Sequence, residues 1–182
     1  MVVRIILSHS QTITAKVVRA WTAKYYSHAS IIVEGDDKIY SFARKYRRLI
    51  LPGGFVVESG ARGFYTYHPE IRICILELDI SEENKDSVLQ RLDFIKTHSR
   101  LFAYNILGLP LAAMQIPYDR KWRHTCSSFV AYVLGDCLEL TQRYSLVRPD
   151  DFLHLGLKKV YEGPIGSCEL LSNAFKAEMD EK

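Results

Sequence analysis

The chain lacks most of what would make its class obvious. No apolar run approaches the ~20 residues a membrane-spanning helix needs, so no transmembrane segment is expected. The N-terminus shows no charged region leading into an apolar core and a small-residue cleavage site. Val2 to Leu7 reads as a first strand instead, and a cytoplasmic location is expected. Cysteine is sparse: Cys74, Cys126, Cys137 and Cys168 form no Cys-x-x-Cys pair and no zinc-type Cys/His spacing. Neither a metal nor a disulfide framework is expected, and the thiols are read as reduced. Charge of one sign is also scarce, with a net value of +3. The basic runs Arg44–Arg48 and Arg120–Arg123 are short, so both are read as solvated loops and nucleic acid is not expected as a partner. There are no repeats and no low-complexity tract.

What is present is enough apolar sequence, 48% over 182 residues, for one ordinary core. The chain is read as a single domain over 1–182 with a frayed tail from about 176. β-branched Val2–Leu7 predicts a strand, and the spacing of Val17, Val18 and Trp21 predicts a helix over about 13–24. Tyr25–Val33 and Lys38–Ala43 read as a hairpin about the turn Glu34-Gly35-Asp36-Asp37. Leu51-Pro52-Gly53-Gly54 reads as irregular, Phe55–Glu58 as a short extended piece, and 60–69 as an aromatic loop. Ile71–Asp79 is the clearest strand of the middle, followed by a helix capped by Ser81 and running to about His98. Leu101–Met114 is read as helical but broken at Gly108-Leu109-Pro110. Arg148–Leu153 turns into a short helix, and Val160–Glu162 is a last strand. Strands and helices without regular alternation indicate an α+β fold with a mostly antiparallel sheet and packed helices.

The chemistry points to Arg123-His124-Thr125-Cys126-Ser127-Ser128-Phe129-Val130-Ala131-Tyr132-Val133-Leu134-Gly135. Phe129, Val130, Val133 and Leu134 form one apolar helical face, Thr125 is the N-cap and Gly135 the C-terminal stop. A thiol in the first turn faces unpaired N–H groups and the positive end of the helix dipole, which favours the nucleophilic thiolate.

Such a cysteine needs a base, usually a histidine brought near by the fold. Of six histidines, His98 lies at a helix C-terminus, where the dipole explains it. His124 is two residues from Cys126, and its ring would have difficulty turning back onto the thiol. His28 opens a buried-looking strand, and a strand end holds an imidazole rigidly. The ordinary alternative is a core histidine and an inert thiol.

Ser27-His28-Ala29-Ser30-Ile31, Ile39-Tyr40-Ser41-Phe42 and Thr125-Cys126-Ser127-Ser128-Phe129-Val130, in that order, resemble the circularly permuted papain-like superfamily. That group holds NlpC-related cell-wall peptidases, YiiX-like and YycO-like bacterial hydrolases and lecithin–retinol acyltransferase relatives. The resemblance runs from the first strand to about Pro149-Asp150 and is nearest the YycO-like branch, through Tyr26–Ile31, Ile39–Phe42 and Thr125–Val130. It implies an NlpC-type fold, Cys126 as nucleophile, His28 as general base, and the Cys126 N–H as part of an oxyanion hole. The third family position orients the imidazole. Here Ser41 falls at or beside it, a neutral hydroxyl where His, Glu, Asn or Gln is more usual, with Tyr40 adjacent.

Tyr104 and Phe55, with the loop about Phe64, are candidates for a substrate groove, and ordinary packing is the alternative. The implied reaction is acyl transfer from a peptide, amide or acyl ester through a thioester, with no metal or organic cofactor. Two other readings stand beside a peptidase or amidase. One is an acyltransferase or lipid esterase using the apolar Leu101–Ile116 segment. The other is an inactive binding domain on this fold, with Ser41 its best argument.

Overall fold

β1 (Val2–His9) lies inside a six-stranded sheet of order β4-β3-β2-β1-β5-β8, every neighbouring pair antiparallel. The computed structural model describes residues 1–9, 25–36, 38–44, 53–58 and 70–171. The other strands of the sheet are β2 (His28–Val33), β3 (Ile39–Arg44), β4 (Gly53–Glu58), β5 (Arg72–Asp79) and β8 (Lys158–Pro164). The helix expected over 13–24, the aromatic loop about Phe64 and the C-terminal tail lie outside the described residues.

Alternation along the strands sorts the apolar side chains onto two faces. Val3, Ile5 and Leu7 of β1 join Ala29, Ile31, Tyr40 and Phe42 in a core that also holds Phe129, Val130 and Val133. Ile6, Ile32, Ile39, Ile73 and Ile75 form a second cluster with Ile165, Cys168 and Leu171. Both faces are therefore buried, which explains why β1 and β2 read as continuous apolar runs.

Helix α1 (Glu82–Thr97) begins where expected. The Ser81 hydroxyl accepts the Asn84 N–H, Glu82 and Glu83 follow in the first turn, and Val88, Leu92 and Ile95 are buried. The next stretch departs from expectation. Ala103–Tyr104 (β6) is extended and pairs in parallel with Arg123–His124 (β7). Helix α2 (Gly108–Ala113) starts at the residues expected to break one. Pro110 falls in its first turn, where no intrahelical N–H is required, and Asn105 Oδ1 accepts the Gly108 N–H at 3.2 Å.

Helix α3 (Cys126–Leu134) is bounded by Thr125 and by Gly135, whose φ of +46° is in the glycine-favoured region. Thr125 and Ser128 cap each other reciprocally: the Thr125 N–H donates to Ser128 Oγ at 2.8 Å and the Ser128 N–H to Thr125 Oγ1 at 3.2 Å. Among the described residues no helix is long and apolar enough to cross a membrane. The architecture is α+β with a mostly antiparallel sheet.

Candidate active site

The capping box sets the first turn of α3 rigidly, and Cys126 is its first residue. Its thiol is buried. The pairing of β2 with β3 is confined to Ser30–Ser41 and Ile31–Tyr40. The Ala29 amide, just beyond that ladder, donates to Cys126 Sγ, so the sulfur occupies a place a third strand partner would otherwise take. The N–H groups of Ser127 and Cys126 also point at Sγ, and the Tyr104 hydroxyl donates to it from 4.0 Å.

Tyr104 is held by two contacts. Its strand β6 is fixed to β7 through the Asn105 N–H donating to the His124 carbonyl at 2.9 Å. Its Cβ lies against Gly53, where a methyl group would come within 2.9 Å. Gly53 and Gly54 belong to β4 rather than to an irregular connection, and the missing side chain at Gly53 is what admits Tyr104.

Electrostatics differ from the sequence expectation at one point. The helix N-terminus and the amide donors do pull the Cys126 pKa down, but burial pushes it up by more, so the resting group is a thiol above the usual cysteine range. Burial likewise raises the Tyr104 phenol well above its ordinary value. The His28 imidazole is lowered to about 4 by burial, which keeps it neutral at pH 7 and makes it a weaker base than a free histidine. Thiol and imidazole both rest neutral rather than as a preformed ion pair.

His28 opens β2 and immediately precedes the amide that touches Sγ. Among the described residues no hydrogen bond joins His28 to Cys126 or to Ser41. Ser41 pairs with Ser30, two residues along from His28, and its buried hydroxyl has no hydrogen-bond partner. Phe55 lies in the core at 7% exposure, with its ring 5.9 Å from Phe129 and 6.0 Å from Phe42, rather than along a groove. Tyr104 is half-buried, with its hydroxyl 4.0 Å from the sulfur. Its role was not legible because the strand that carries it is two residues long. His124 turns away from the thiol: its ring lies 5.3 Å from Phe42, 5.9 Å from Phe102 and 5.2 Å from Tyr132.

One residue outside the sequence reading supports the site from behind. Asp150 is buried, and its carboxylate holds the backbone just upstream of His28. Arg148-Pro149-Asp150 was legible as a turn, but nothing local marked the carboxylate as a partner of Tyr25 and Tyr26. Among the described residues no cluster of His, Cys, Asp or Glu could hold a metal ion. No family model and no curated protein matches the chain.

Proposed function

We propose that the protein is a cysteine-dependent acyl hydrolase, acting on an amide or peptide bond through a thioester at Cys126. The observation that carries this reading is the sulfur's position. It sits at a helix N-terminus, on the amide next to His28, and under the hydroxyl of Tyr104. Attack forms the Sγ–carbon bond while the thiol proton passes to His28. The oxyanion is met by the Cys126 N–H and by the Tyr104 hydroxyl, the latter replacing a strand or helix amide as second donor. Collapse breaks the bond to the leaving group, which takes the proton from His28, and water then releases the acyl group. Because both partners rest neutral, His28 acts as a base during attack rather than as the counter-ion of a standing thiolate.

A second reading, an acyl-ester or lipid-directed enzyme on the same chemistry, is favoured by the exposed apolar side chains of Leu107, Met114 and Ile116 just beyond Tyr104. Exposure to 4-nitrophenyl acetate, followed by peptide mass mapping, tests the shared step. The expected result is an acyl adduct at Cys126 that forms at least about 10²-fold more slowly in His28→Ala. Equal labelling of Cys126 and Cys137, or indifference to His28→Ala, defeats the catalytic reading and leaves a binding domain. Hydrolysis of long-chain esters in preference to acyl-peptides selects the second reading over the first.

A further inference from the structure

The way helix α2 ends decides where its apolar side chains go. Gln115 adopts φ +59°, its N–H donates to the Ala112 carbonyl at 3.1 Å, and the Ile116 N–H reaches back to the Leu111 carbonyl at 2.8 Å. This pair of bonds folds the chain against the last helical turn and brings the backbone of Ile116 beside Leu111. Leu107, Leu111 and Met114 follow one another at intervals of four and three residues, so they share one helical face. A surface helix normally turns polar residues outward, but Gly108-Leu109-Pro110-Leu111-Ala112-Ala113 contains none. Ala112 is buried, whereas Leu107 is 58%, Met114 63% and Ile116 43% exposed.

Charge gathers on the same excursion of the chain. It leaves the body of the protein at Tyr104 and returns at Arg123-His124, its two ends held together by the parallel β6–β7 pair. The buried Asn105 ties it across the base: Nδ2 donates to the Tyr118 carbonyl at 3.1 Å while Oδ1 accepts the Gly108 N–H. The stretch after Tyr118 is thereby joined to the start of α2, and it carries Arg120, Lys121 and Arg123, all exposed. Asp119 is the one acidic residue between Leu101 and His124, and Arg143 engages its carboxylate at 3.4 Å.

We propose that this excursion docks the protein on an anionic lipid bilayer. Leu107, Met114 and Ile116 enter the boundary between headgroups and acyl chains, while Arg120, Lys121 and Arg123 face lipid phosphates and carboxylates. The surplus of cations beside the apolar side chains selects a surface of negative charge. The N–H groups of Met114, Gln115 and Ile116 are all bonded within the excursion, so immersion strips no hydrogen bond from them. A protein partner is more commonly gripped through aromatic anchors, and the three projecting side chains here are aliphatic. One short apolar patch with three cations gives reversible docking rather than permanent anchoring. The proposal stands on these exposed side chains and does not rest on the catalytic reading.

Co-sedimentation with phosphatidylcholine vesicles, with and without about 30% phosphatidylserine, tests it across about 0.05–0.5 M salt. The wild type is expected to bind the phosphatidylserine vesicles at least about tenfold more tightly, with an advantage that fades as salt rises. Arg120→Ala/Arg123→Ala should lose about 20-fold at low salt, roughly fivefold per cation, and flatten the salt dependence. Leu107→Ser/Met114→Ser should lose about tenfold at every salt concentration while keeping that dependence. Lys158→Ala/Lys159→Ala, which removes two cations from β8 instead, should bind like the wild type. So should Cys126→Ala, and loss of acyl transfer therefore leaves this result standing. Failure to bind the phosphatidylserine vesicles, or an equal loss in the β8 variant, overturns the proposal. Self-association abolished by Leu107→Ser/Met114→Ser, without vesicle binding, assigns the patch to a protein contact and overturns it as well.

Discussion

The carboxylate of Asp150 accepts the backbone N–H of Tyr26 at 3.0 Å, and its other oxygen takes the N–H of Tyr25 at 3.1 Å. Residues 124 positions apart in the chain are thereby joined just ahead of His28. The 3-10 turn Pro149–His154 acts as a clamp on the start of β2 through these two bonds.

Asp150→Ala leaves two amides without these acceptors and is expected to cost about 2–4 kcal/mol of unfolding free energy. Asp150→Asn keeps one carbonyl acceptor and should cost less than half as much. Urea midpoints measure both. A loss under about 0.5 kcal/mol in Asp150→Ala, the range of an ordinary surface change, would mean that the clamp does not hold the strand.

Acid should destabilise the protein through two half-buried histidines. His28 and His124 are each lowered to about 4 by burial, against about 6.5 for a free histidine. The unfolded chain binds more protons between those values, so the stability each contributes is complete above pH 6.5 and disappears as pH falls toward 4. The full difference is worth about 3 kcal/mol per histidine. His124→Phe, filling a site already bounded by Phe42, Phe102 and Tyr132, should flatten the fall between pH 6.5 and 4 by about half. Guanidinium titrations at pH 7 and pH 4.5 measure it, and an unchanged slope counts against a neutral His124.

Tyr104→Phe removes a donor from the sulfur and from the developing oxyanion while keeping the ring. A fall in kcat of about 10²-fold with KM little changed is the expected outcome. The Cys126 thiol, losing a bond that favours its anion, should titrate still higher. Gly53→Ala should produce a milder version of the same effect by pushing Tyr104 away, because its new methyl group has only 2.9 Å to the Tyr104 Cβ. A normal kcat in Tyr104→Phe would remove the phenol from the mechanism.

The contrast between α3 and β6 shows where sequence reading succeeds. Thr125, Ser128, the apolar face from Phe129 to Leu134 and Gly135 are local signals, and they place the helix and its cysteine correctly. Ser81 does the same for α1. Ala103–Tyr104 carries no period at all in two residues, and Pro110 reads as a breaker unless its place within the first turn is known. Phe55 was ambiguous between groove and core, since an aromatic residue after a glycine pair suits either.

By itself the sequence determined the capped helix that begins at Cys126, the hairpin that begins at His28 and the antiparallel character of the sheet, because caps, turns and alternation act over a few residues. Tertiary structure alone decided what surrounds the sulfur. Ala29 and Tyr104 reach it from strands far apart in the chain, and packing makes it a buried thiol instead of a thiolate. Desolvation is the sum of everything packed around a group, so no local pattern of residues encodes it.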